Sequence, residues 1–169
     1  MAQLERSILF SGVDPSDAGP MRTILTNRGF HVEWAETAET AHNYLDARNV
    51  DVLIAEMRIG GHDAIRLIRA AQLRRPDLCA LLIASPDEAQ RAAETLTDGV
   101  YDYMLKPVNP ERLAAIVQRG IEHQQLLYEQ RHLKRRLDEH YGLTSLIGQS
   151  RPMTLVYTTL RQCASVLTP

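Results

Sequence analysis

Short apolar runs recur five times in the first two-thirds of the chain, each followed by a polar or amphipathic stretch of helical period. Ser7-Ile8-Leu9-Phe10 is the first, with a turn-rich stretch over 12–20 and a helix over 21–28 behind it. Residues 29–34 read as the second strand, because Gly29 stops the helix before it. Apolar Ala38, Ala41, Tyr44 and Leu45 share one helical face over 37–47. The third strand is read over 51–55, where Asp51 is followed by a continuous apolar run of the kind that a parallel sheet buries on both faces. A helix is expected over 62–74, a fourth strand over 79–84, a fourth helix over 87–96 and a fifth strand over 100–105. Strand and helix alternating five times imply right-handed crossovers and a parallel sheet covered on both sides. The fold class that follows is α/β, a flavodoxin-like (βα)5 doubly wound sheet. In such sheets the functional crevice lies at the carboxyl ends of the strands, here after residues 11, 55, 84 and 105.

Beyond Pro110 the pattern changes. Asn109 suits a helix N-cap and Pro110 the first helical position. Residues 111–140 contain one glycine and no proline, which predicts one long linker helix. Leu113, Ile116, Val117 and Ile121 would pack on the sheet, whereas Leu126, Gln130, Leu133 and Leu137 fit an a/d seam. Two heptads with a glutamine in the seam suit a dimer-forming coiled coil or a solvated connector.

Composition narrows the class without naming a chemistry. A 169-residue chain with 44% hydrophobic and 24% charged residues is ordinary for a globular protein. Cys79 and Cys163 have neither disulfide-framework nor zinc spacing, and the apolar run near the N-terminus is too short for a signal peptide or a membrane span. A cytoplasmic protein without a membrane partner is expected. Net charge is −2, and the cluster Arg131, Lys134, Arg135 and Arg136 reads as a solvated helix face rather than a DNA contact. The six histidines share no ligand spacing beyond the i, i+8 pair His132 and His140. Trp34 reads as half-buried packing.

The first strand with Asp14-Pro15, the run Asp-Val-Leu-Ile-Ala-Glu-Met-Arg-Ile at 51–59, and Asp-Gly-Val-Tyr-Asp-Tyr-Met-Leu-Lys-Pro at 98–107 taken together resemble, over residues 7 to about 121, a response-regulator receiver domain. The chain has 17 arginines and two lysines, and one of those lysines is Lys106, where the family places a compact ammonium beside the phosphoryl group. The resemblance implies a nucleophilic aspartate, a metal-holding acidic pair, a hydroxyl and that lysine. Carried over position by position, the phosphoacceptor falls on Glu56, one methylene longer than aspartate. The acidic pair falls on Gly12 and Val13, which offer no side-chain oxygen. The hydroxyl position falls on Ala84, the aromatic switch on Tyr103, and a cis peptide is implied before Pro107. Neither a metal nor a cofactor is therefore expected, and no enzyme activity. The implied protein is a pseudo-receiver. In one reading Glu56 reaches Lys106 and imitates the phosphorylated state; in the other it is an ion pair without signalling content. Three rivals stay open: phosphorylation through displaced groups such as Asp14 and Ser85, a small ligand in the vacated crevice, and an adaptor whose Tyr103 face docks another regulatory protein.

Residues 145–169, with Ile-Gly-Gln-Ser followed by Arg-Pro-Met, resemble the opening of the AAA+ ATPase domain of sigma-54-dependent activators of the nitrogen-regulator type. No Gly-x-x-x-x-Gly-Lys-Ser/Thr loop is present. The organisation expected is a receiver-like domain over 1–121, a linker helix or coiled coil over 122–144, and the start of a truncated ATPase domain over 145–169. The partners implied are a second copy of the chain and the AAA+ and DNA-binding domains of a longer protein. The function implied is control of dimerisation and ATPase assembly.

Overall fold

The computed structural model describes residues 6–141, with side chains described as far as Arg136. Residues 142–169, and with them the ATPase-like segment and Cys163, lie outside the described residues. Five parallel strands form one sheet in the order β2-β1-β3-β6-β7: β1 (Ser7–Ser11), β2 (His31–Ala35), β3 (Val52–Glu56), β6 (Cys79–Ala84) and β7 (Asp102–Leu105). Helices α1 (Pro15–Asn27), α2 (Ala38–Ala47), α3 (Ala64–Arg74), α4 (Ala89–Glu94) and α5 (Pro110–Tyr141) connect and follow them. Two two-residue strands, β4 (Arg58–Ile59) and β5 (His62–Asp63), pair antiparallel as a hairpin between β3 and α3. The flavodoxin-like α/β class expected from the apolar runs is the fold observed.

Side-chain alternation along the buried strands divides the core in two. Leu9, Leu53, Ala55, Ala80 and Leu82 pack with α2 and α3. Ile8, Phe10, Ile54, Leu81 and Ile83 pack with α1 and with Leu113, Ile116, Val117 and Ile121 of α5, as their spacing predicted. Trp34 is half-buried and stacks on Phe10 at a centroid distance of 5.3 Å.

Three helices depart from the sequence reading. The first helix begins at Pro15 instead of 21, because Asp14 caps it: its carboxylate accepts from the Ser16 N–H at 2.8 Å, and Pro15 takes the first position. Gly19-Pro20, which resembles a turn, lies inside that helix. The third helix begins at Ala64, since His62 and Asp63 belong to the hairpin. The fourth is a short α-helix flanked by 3-10 turns at Pro86–Glu88 and Thr95–Asp98. Asn109 caps α5 as expected, accepting from the Arg112 N–H at 3.1 Å. The Gln124 side chain donates to the carbonyls of Asp51 and Asp77, so the first compact unit extends past 121, to Leu127; a second begins at Tyr128. Among the described residues no helix is long and apolar enough to cross a membrane.

Candidate functional site

The parallel strands end together on one edge of the sheet and deliver a fixed set of residues there. From β3 comes Glu56, whose side chain is 21% exposed. From β6 comes Ala84, fully buried, its carbonyl accepting the Lys106 N–H at 2.9 Å. That bond extends the β6–β7 ladder by one residue and sets Lys106 above the sheet edge. The Lys106–Pro107 peptide is cis. Tyr103 is half-buried and packs on the α2–α3 side of the core.

Lys106 Nζ donates to Glu56 Oε1. It also lies 3.5 Å from Asp17 Oδ2, on the first turn of α1. The hydrogen bond to Glu56 holds the ammonium above its usual titration range, against the opposing effect of desolvation, and Asp17 adds to the same direction. The structure therefore brings Glu56 and Lys106 together, while Gly12, Val13 and Ala84 line the same edge without a polar side-chain atom.

Two neighbours that could replace missing groups are engaged elsewhere. Besides the Ser16 N–H, the Asp14 carboxylate accepts the Ser16 hydroxyl at 2.6 Å; these bonds hold Asp14 below the usual carboxylate range. The Ser85 hydroxyl donates to Glu88 Oε2 at 2.7 Å in a capping box. Magnesium takes carboxylates in near-octahedral array. The side chains at 12 and 13 supply none, and the Glu56 carboxylate is bonded to an ammonium, so the donor set does not fit that ion. Among the described residues no group of three or more His, Cys, Asp or Glu is placed to hold a metal.

Two residues of the crevice carry no signal in the reading above. Asp17 lies in a stretch read as turn; a helix begun at Asp14 would have placed it one turn above the crevice. Ile59 ends the run quoted at 51–59 without a role assigned to it, yet it is 1% exposed and packs beside Gly12.

The doubly wound sheet with its lysine and cis-proline at the carboxyl edge defines a receiver. The model of the response regulator receiver domain matches residues 14–118, and the chain belongs to that family. Among characterised relatives, the C4-dicarboxylate transport transcriptional regulatory protein DctD of Rhizobium meliloti is 30% identical over 144 residues, covering 85% of this chain and 31% of its own. The nitrogen assimilation regulatory protein NtrX of Azorhizobium caulinodans is 26% identical over 152 residues, covering 88% of this chain and 34% of its own. This chain thus spans about a third of the length of those relatives. The crystal structure of NtrX from Brucella abortus superposes with a TM-score of 0.72 at 22% identity, over 94% of this chain and 34% of that one.

Proposed function

We propose that this chain is the regulatory receiver module of a sigma-54-dependent transcription activator, acting without aspartyl phosphorylation. The observation that carries the reading is the bond from Lys106 to Glu56: the ammonium that would meet a phosphoryl group already has a carboxylate partner within the chain. Asp14 gives its Oδ1 to the cap of α1, and the Ser85 hydroxyl is given to Glu88, so the two neighbours already serve helix starts. In this reading Glu56 holds the crevice in one conformation permanently.

The same reading takes residues 1–121 as the receiver-like part, 122–144 as a dimer linker and 145–169 as the entry to an ATPase domain. Leu126 and Leu133 are 65% and 58% exposed, an apolar pair one heptad apart on a helix face bearing Gln130 between them. A second copy of the chain is the proposed occupant; the side chain of Leu137, the fourth seam residue, lies outside the described residues. The groove lined by Tyr103, Leu105, Pro107 and Arg112 is a second proposed contact face for the dimer. The dimer would set how the ATPase domains assemble.

The test is intact mass after incubation with acetyl phosphate and Mg²⁺, paired with light scattering with and without beryllofluoride. The expected result is no phosphoryl adduct and a dimer indifferent to the additives, becoming monomeric in Leu126→Glu/Leu133→Glu. A phosphoryl adduct, or a monomer that dimerises only with beryllofluoride, would overturn the reading.

A further inference from the structure

Gly12 stands where the resemblance places the first of two metal-holding acids, and its backbone is left-handed at φ +72. A Cβ built there would lie 2.9 Å from Ile59 Cγ1, 3.1 Å from Cγ2 and 3.2 Å from Cβ. Real Cβ atoms avoid the first of these distances, so any side chain at 12 collides with Ile59 unless Ile59 moves. Ile59 has little freedom to do so. Gly60 and Gly61, at φ 56 and 86, make a two-residue turn of the kind that matches hairpin twist. That turn pairs Ile59 with His62 and Arg58 with Asp63.

Both ends of the hairpin are anchored. The Ala64 N–H donates to the Met57 carbonyl at 3.1 Å, and both residues are buried. Asp63 accepts the Ile65 N–H at 3.0 Å as the cap of α3, and it also accepts from Arg91 of α4. Ile59 is therefore a side chain of the core, held against the turn that follows β1.

We infer that Ile59, carried on the 58–63 hairpin, determines what the crevice admits: it closes the acid side to a divalent cation, so that restoring an acid at position 12 alone restores no metal site. This rests on the proposed phosphorylation-independent reading and extends it from missing donors to an occupied space. With Ile59 shortened, an aspartate at 12 would have room at the edge that Glu56 and Asp17 share with Lys106, and the added carboxylate is the donor that a hydrated divalent cation would take.

Manganese binding to the full chain, followed by the paramagnetic resonance of free Mn²⁺, tests this on native protein, Gly12→Asp, and Gly12→Asp/Ile59→Ala. The expected result is binding by the double variant alone, tighter than by Gly12→Asp by about tenfold or more. Equal affinity in the single and double variants, or none in the double, overturns the inference about Ile59 while leaving the proposed function intact. Binding by the native chain, with a phosphoryl adduct from acetyl phosphate, instead overturns the proposed function. A second comparison needs no metal and tolerates weak folding of the aspartate variants. Gly12→Ala should lower the melting temperature of native protein by several degrees, and by clearly less in an Ile59→Ala background, since the side chains couple only if they meet. An equal drop in both backgrounds overturns the inference.

Discussion

On one side of the crevice, the turn after β1 carries Gly12 and Val13, and the hairpin after β3 sets Ile59 beside Gly12; Val13 and Ile59, in separate core clusters, are 2% and 1% exposed. On the other side, β3 and β7 deliver Glu56 and Lys106, both part-exposed and bonded to each other. One half is an extension of the hydrophobic core; the other keeps charges at the surface. The two halves differ in how they respond to losing a partner. An apolar contact fills the space that a group vacates, whereas an ammonium at a sheet edge needs a carboxylate or water. Lys106 has two carboxylates in reach, Glu56 and Asp17, and so remains fully engaged without any exogenous group.

The difference is broken most forcefully by placing charge in the apolar half. Val13 packs among Phe10, Met21 and Met104. Val13→Asp puts a carboxylate into that apolar cluster, and the expected loss is about 3–5 kcal/mol, the cost of a buried charge left unpaired. Urea unfolding measures it. A loss below about 1 kcal/mol, within the range of an ordinary surface change, would mean that Val13 is not core and that this half of the crevice is open.

In the charged half the expected effect is smaller and depends on pH. Lys106 titrates above its ordinary 10.5 because Glu56 bonds its charged form. A cation whose folded pKa is raised contributes its full stabilisation below the unfolded value and loses it as pH rises through the folded one. The stability difference between native protein and Lys106→Met should therefore be constant from pH 7 to 9 and shrink above 10.5. Cys79, whose thiol burial pushes up to about 12, also makes the fold alkali-sensitive, but equally in both proteins, so the difference cancels it. A difference independent of pH up to 11.5, measured by urea unfolding at each pH, would show that Lys106 acts through packing of its stem. Because the lysine side chain is about a third exposed, solvent screening keeps the pair in the modest range of surface ion pairs.

Much of this was legible in the sequence where one rule dominated. Strands buried on both faces read as unbroken apolar runs, so 52–55 and 79–84 stand out, and the order of runs and helices leaves the parallel sheet as the natural outcome. Lys106-Pro107 and Glu56 were legible because each ends a strand. The start of α1 was not: Gly19-Pro20 carries turn chemistry, but a helix already capped by Asp14 and started by Pro15 runs through it. Asp17 was lost with that boundary. Ile59 was hidden for another reason. It is 47 positions from Gly12 in sequence, between the strand read over 51–55 and the helix read over 62–74, and only the tertiary placement of the hairpin brings the two together.

The smallest expected effect lies at the junction of the two halves. Ser11 ends β1, is fully buried, and its hydroxyl has no hydrogen-bond partner among the described residues. A buried hydroxyl without a partner opposes folding by about 1–3 kcal/mol relative to one that is paired, whereas removing it with its cost is near neutral or favourable. Ser11→Ala loses only the dispersion contacts of one oxygen. The two terms leave a gain of a few tenths to about 1 kcal/mol, read as an upward shift of the urea midpoint at unchanged slope. The same change in the Gly12→Asp/Ile59→Ala background sharpens the contrast between the halves. There the hydroxyl would lie next to a polar, hydrated site, and Ser11→Ala should lose its advantage. A loss of 1 kcal/mol or more on Ser11→Ala in the native chain, beyond what one lost oxygen contact explains, would instead mean that the Ser11 hydroxyl is paired in solution and that the polar half reaches further along the sheet edge than Glu56 and Lys106.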